Sequence, residues 1–164
     1  MGVADQRPVT VDRRRSLLTG AMLGVAVMAA VDEIVFHQLL SWHHFYDRST
    51  SDLALLSDGL LQTAYLVLLV AGFFRFADLR RRGTLAPRST WAAFVLGLGA
   101  FHLFDGLVDH KLLRLHQVRY GVDVLPYDLA WNGVALVLLL AGALLIRRTR
   151  DEARDPAATP ADRR

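Results

Sequence analysis

Hydrophobic residues are concentrated in four long blocks of this 164-residue chain, and short polar stretches separate the blocks. The blocks run over Ser16–Leu40, Leu53–Phe76, Thr90–Leu115 and Tyr127–Ile146. Each has room for the ~20 residues that a helix needs to cross a bilayer. Leu66–Phe74 and Val134–Ile146 contain no polar residue, whereas helices of soluble bundles keep one polar face. The pattern therefore predicts an all-α fold, an integral membrane four-helix bundle with one span in each block.

A polar motif closes the first block and is repeated at the end of the third. An acid, two histidines and a Leu-Leu pair have identical spacing in both copies. The copies are Asp32, His37, Leu39, Leu40 and His43, and Asp105, His110, Leu112, Leu113 and His116. Spacing also matches between Asp58, Gln62 and Gly72 in the second block and Asp128, Asn132 and Gly142 in the fourth. We therefore expect two tandem helical hairpins related by a pseudo-twofold axis along the membrane normal. Small residues such as Gly20, Gly24, Gly97 and Gly99 are expected to allow close helix packing.

The repeated motifs place ionisable side chains near one membrane boundary. A rise of about 1.5 Å per residue puts Asp32 in the outer part of the hydrocarbon layer and His37 near its edge. Ionisable residues inside spans are costly, so they indicate a functional site. The predicted metal-binding residues are Asp32, Glu33, His37, Asp58, His102, Asp105, His110 and Asp128.

Other polar residues near this boundary have simpler explanations. Continued helices would carry His43, His44 and His116 into the headgroup region, where a wet histidine needs no special role. Asp109 and Lys111 are expected to be solvated or paired at the rim.

The basic residues predict the orientation of the chain in the membrane. The net charge is +3, and most arginines lie before the first block, between the second and third, and after the fourth. These arginines are Arg13, Arg14, Arg15, Arg75, Arg80, Arg81, Arg82, Arg88, Arg147, Arg148 and Arg150. The asymmetry follows the positive-inside rule and predicts that both termini are cytoplasmic. It explains the basic charge without any nucleic-acid partner.

The ends of the chain define the limits of the predicted membrane domain. Arg13–Leu18 and the apolar run that follows resemble a signal peptide. The third block ends in the same motif and cannot be such a signal, so we interpret the first block as a retained span. We expect one membrane domain over 13–150, with flexible cytoplasmic tails at Met1–Asp12 and Asp151–Arg164.

The side-chain chemistry leaves several functions open. The chain contains no cysteine, so a metal would be held by imidazole and carboxylate groups, which suit zinc, iron, manganese or copper(II). One alternative is a b-type haem with His37 and His110 as axial ligands. Others are a proton or cation translocator, a membrane-embedded metal-dependent hydrolase, and a structural or assembly protein. Whether the protein is an enzyme stays open.

Several segments resemble a bacterial family of small four-span membrane proteins, known only as domain of unknown function 2243. The resemblance covers roughly Gly20–Leu145 and rests on Val31–His44, Phe104–His116 and Tyr127–Ala130. Glu33 stands where that family suggests glycine, and Asp105 where it suggests glutamate. The resemblance implies an integral membrane protein but no activity. It also suggests metal handling or respiratory-oxidase assembly, with membrane-protein partners.

Overall fold

The structure is a computed structural model and describes residues 10–153. This part of the chain is all-helical and contains no strand. The α-helices are α1 (Arg13–Asp32), α2 (Ser51–Arg81), α3 (Pro87–Phe104) and α4 (Leu125–Arg148). Two π-helical segments, Glu33–Leu39 and Asp105–Leu112, continue α1 and α3, and a short 3-10 turn, Arg150–Ala153, follows α4.

Four helices in the described part are long and apolar enough to cross a membrane. They span Arg13–Leu39, Ser51–Arg81, Pro87–Leu112 and Leu125–Glu152. The predicted all-α class and the four predicted spans are thus confirmed. Most of the predicted tails, Met1–Asp12 and Asp151–Arg164, falls outside the described residues.

The centre of the molecule is the packed pair of α1 and α3. α2 lies against α1, and α4 lies against α3. A Cβ atom on Gly24 would lie 2.1 Å from the Phe94 carbonyl oxygen, and one on Gly97 would lie 2.3 Å from that of Ala21. These distances are below van der Waals contact, so only glycine allows this approach. The predicted role of small residues is confirmed at both positions.

The outer helices carry most of the exposed apolar surface. Many large hydrophobic side chains on α2 and α4 are 43% to 71% exposed, among them Leu60, Phe73, Phe74, Leu129 and Leu140. Lipid chains can cover such a surface, whereas its exposure to water would cost free energy.

Both π-helical segments end in a sharp reversal of the chain. Their wide hydrogen bonds include Leu40 N to Val35 O at 2.9 Å and Leu113 N to Val108 O at 2.7 Å. The residues after them, Ser41 and Arg114, have φ angles of 48° and 53°. The helices therefore do not continue to His43, His44 or His116, because left-handed residues end them.

The reversed segments cross at the end of the bundle that carries the repeated motifs, which we call the site end. Asp47 N donates to Leu115 O at 3.1 Å, and the guanidinium of Arg48 donates to Arg114 O at 3.2 Å. At the opposite, arginine-rich end, Arg13 donates to the carbonyls of Ile146 and Thr149, the last turn of α4. The guanidinium stabilises that helix terminus.

Candidate metal centre

Eight histidine and carboxylate side chains are buried together at the site end. Each residue is at most 3% exposed. The set comprises Asp32, Glu33, His37, His43, Asp58, Asp105, His110 and His116. We call it the His/carboxylate cluster. It is formed by α1, α2, the two π-helical segments and the loops that follow those segments.

Three donor groups of the second motif copy converge most closely. His110 Nε2 lies 2.9 Å from His116 Nε2 and 3.1 Å from Asp105 Oδ2. The other Asp105 oxygen lies 3.5 Å from His116 Nε2. Two imidazole nitrogens and a carboxylate thus converge, and a cation bound among them could use all three as ligands.

His37 of the first copy has carboxylates on both sides of its ring. Its Nδ1 lies 2.7 Å from Glu33 Oε2 and 3.2 Å from Asp58 Oδ1, and its Nε2 lies 3.6 Å from Asp32 Oδ2. The four-residue spacing of Glu33 and His37 places them on one side of the helix. Carboxylates at Nδ1 orient an imidazole and direct Nε2 toward a ligand.

His43 and His116 lie between the two copies of the motif. Their rings stack with centroids 4.5 Å apart and an interplanar angle of 8°. His43 Nδ1 donates to Val118 O at 2.8 Å, and His116 Nδ1 donates to Phe45 O at 2.9 Å. Each histidine is therefore held by the loop of the other copy.

The surroundings of these two histidines differ in charge. Burial, together with neighbouring His116 and His37, lowers the pKa of His43 to about 2. Burial also opposes protonation of His116, but the hydrogen bond and negative charge of Asp105 outweigh it and raise the pKa of His116. His43 is therefore a neutral imidazole at physiological pH, and neutral imidazole is the form that binds metals.

Asp58 connects the cluster to the loop after the first π-helical segment. One carboxylate oxygen accepts a hydrogen bond from Phe45 N at 2.7 Å, and the other lies 2.6 Å from His44 Nδ1. The side chain of His44 is 35% exposed. Asp58 thus fixes the loop that presents His43.

Six of the eight sequence-predicted metal residues belong to the cluster, and two lie apart from it. His102 stacks on Trp131 with centroids 4.2 Å apart. Asp128 forms an ion pair with Lys111, and its backbone carbonyl accepts a hydrogen bond from the Asn132 side chain. Neither belongs to the groups of described residues whose donor atoms converge.

His43 and His116 are not among the residues that the sequence predicted to bind metal. The expectation that they are wet headgroup histidines is wrong, because both are buried in the protein. Asp109 is also buried rather than solvated. His43 and His116 have the same spacing from the aspartate in the two motif copies, and this match could have assigned both to the site. Extending the helices past Ser41 and Arg114 placed them outside it instead.

The chemistry of the cluster suits a metal ion. Three groups of buried residues each offer ligand atoms within 4.8 Å of one another. The groups are Asp105, His110 and His116; His37, His43 and His116; and Glu33, His37 and Asp58. Imidazole and carboxylate donors bind zinc, iron, manganese and copper(II).

Comparison with known proteins identifies a family of membrane proteins. The family model described as "Predicted membrane protein (DUF2243)" matches residues 19–149. The match includes both motif copies, all four spans in large part, and every residue of the His/carboxylate cluster. No curated protein and no solved structure matches the chain.

Proposed function

The chain belongs to this family of multi-pass membrane proteins, and we propose that it binds a transition-metal ion through the His/carboxylate cluster. The convergence of Asp105, His110 and His116 carries the proposal, because three buried donors lie within 3.5 Å of one another. The site opens toward the extracytoplasmic side if the arginine-rich end faces the cytoplasm.

Two imidazoles and one carboxylate limit the choice of metal. This donor set is typical of catalytic zinc sites with an open coordination position and of non-haem iron sites. Two imidazole nitrogens in the set make calcium and magnesium poorer candidates, because both ions prefer oxygen ligands. The proposed metals are zinc, iron, manganese and copper(II).

The haem alternative fits the packing less well. An axial histidine must direct Nε2 toward the open face of a macrocycle. His110 Nε2 instead lies against His116 Nε2 and Asp105, and the His43 and His116 rings stack directly on each other. Imidazoles and carboxylates therefore fill the space between the two motif copies.

A proton or cation path is also less favoured than a metal centre. Such paths use chains of buried ionisable residues across the whole membrane. Toward the arginine-rich end, the described buried polar side chains within α1 and α3 are Ser16, Thr19, Ser89 and Thr90, which do not titrate. The ionisable cluster is confined to the site end.

Metal analysis of the detergent-purified protein tests the proposal. Wild-type protein expressed with added zinc, iron, manganese or copper should retain at least one ion per chain. His110→Gln and His116→Gln should lose that ion, whereas His44→Gln should retain it, because His44 is partly exposed and lies outside the converging donors. Gel filtration and circular dichroism check that each variant is folded.

Two results would contradict a metal-binding function. One is background metal content in folded wild-type protein after incubation with each of the four metals. The other is metal content that His110→Gln and His116→Gln leave unchanged. An absorption spectrum of the same preparation separates haem from a bare metal ion.

A further inference from the structure

We propose that the cluster is a dinuclear centre, in which Asp32, His37 and His43 hold a second metal ion beside the one held by Asp105, His110 and His116. This inference rests on the proposed metal-binding function. Each ion receives two imidazoles and one carboxylate, one complete motif copy. The two donor sets are called the first triad and the second triad.

Two measures within the first triad are close to those in the second, and His37 and His43 both belong to a group of converging donors. His37 and His43 have ring centroids 4.6 Å apart at 71°, and His110 and His116 have centroids 4.6 Å apart at 78°. The aspartate lies 3.6 Å from the Nε2 of His37 in the first triad and 3.1 Å from that of His110 in the second.

The backbone holds the last histidine of each triad in the same protonation pattern. Val118 O and Phe45 O can only accept, so His43 and His116 both carry a proton on Nδ1. In each ring Nε2 is then the nitrogen that is left to bind a metal.

Three buried polar atoms of the first triad have no hydrogen-bond partner. They are Asp32 Oδ1, His37 Nε2 and His43 Nε2, on residues at most 3% exposed. Buried polar atoms without partners are rare because each costs its desolvation energy. A cation bound by the three side chains would satisfy these atoms.

The charge of the cluster favours two ions over one. Asp32, Glu33, Asp58 and Asp105 are buried, and their ion-pair partners within 4 Å are histidines rather than any described Lys or Arg. Buried carboxylates need neighbouring positive charge. Two divalent ions supply more of this positive charge than one ion does.

The two triads are close enough to form one centre. The donor nitrogens of His37, His43 and His116 lie within 4.8 Å of one another, although His116 belongs to the second triad. Ions in two-metal sites generally lie about 3.5–4 Å apart.

Metal stoichiometry distinguishes this inference from the proposed function. Wild-type protein saturated with zinc and freed of excess metal should contain two ions per chain. His37→Gln and His110→Gln should each contain one, and the double variant none. A wild-type value of one would overturn the dinuclear centre but keep metal binding; a value of zero would overturn both.

Electron paramagnetic resonance of the copper(II)-loaded wild-type protein gives a second, independent measurement. Two neighbouring copper(II) ions should give a coupled signal, with less isolated-ion intensity than the total copper content predicts. His43→Gln should restore the signal of an isolated ion. A wild-type signal that accounts for all bound copper as isolated ions would contradict the dinuclear centre.

Discussion

The His37 ring is oriented by carboxylates at its Nδ1 atom, whereas the equivalent ring of His110 is not. Glu33 and Asp58 lie 2.7 Å and 3.2 Å from His37 Nδ1, whereas His110 Nδ1 has no hydrogen-bond partner. Gly106 occupies the position equivalent to Glu33. The first triad therefore has the better-oriented histidine, because a carboxylate at Nδ1 fixes the ring and raises its basicity.

Asp58→Asn is expected to weaken metal binding by about 10–100-fold, the usual effect of losing a partner of a metal-binding histidine. The amide lacks the negative charge beside His37 and cannot keep all three contacts of the carboxylate. Competition with a chelator measures the affinity.

Asp128→Asn is the matched control, since Asp128 has the corresponding place on α4 but pairs with partly exposed Lys111. It should change the affinity by less than about fivefold, because an exposed ion pair contributes only about 0–1 kcal/mol. Equal losses in both variants would contradict the role given to Asp58.

The π-helical segments are the elements that the sequence did not reveal. Their apolar residues fit an α-helical pattern, and no glycine or proline marks the turns at Ser41 and Arg114. A continued α-helix would place His43 and His116 outside the site. In the structure, the wider π turns and the chain reversal place both residues inside it. The helices themselves were predictable, because long apolar blocks have few other stable forms in a membrane.

Ser41→Val should destabilise the protein by about 1–2 kcal/mol, because a β-branched side chain is strained at the φ of 48°. Ser41→Gly removes that strain and should keep or raise the thermal midpoint. Thermal unfolding in detergent, with and without metal, measures both effects. A valine variant as stable as the glycine variant would show that the reversal does not depend on this backbone conformation.

The contact between α1 and α3 should tolerate no side chain at Gly24. Gly24→Ala places a methyl group 2.1 Å from the Phe94 carbonyl oxygen, so the helices must separate. We expect a loss of about 1–3 kcal/mol or more, the usual cost of overpacking. Gly59→Ala is the control, since a Cβ atom there meets nothing within 4 Å. Equal melting temperatures for the two variants would contradict the tight crossing.

The two ends of the molecule carry different kinds of ionisable residue. Most arginines lie at one end, while buried carboxylates and histidines lie at the other. The sequence predicted this separation because it depends only on positions along the spans. It could not predict that α1 and α3 form the central pair, because all four spans are apolar and the choice depends on glycine contacts in three dimensions.

The arginine-rich end is predicted to face the cytoplasm, and the absence of native cysteine allows a direct test. Single cysteines at exposed Ser51, near the site end, and exposed Arg82, at the arginine-rich end, give unique reactive groups. A membrane-impermeant maleimide added to intact cells should label Ser51→Cys at once and Arg82→Cys only after permeabilisation. The opposite pattern would place the cluster on the cytoplasmic side, where it would take metal from the cytoplasm. The labelling result therefore decides which compartment supplies the ions.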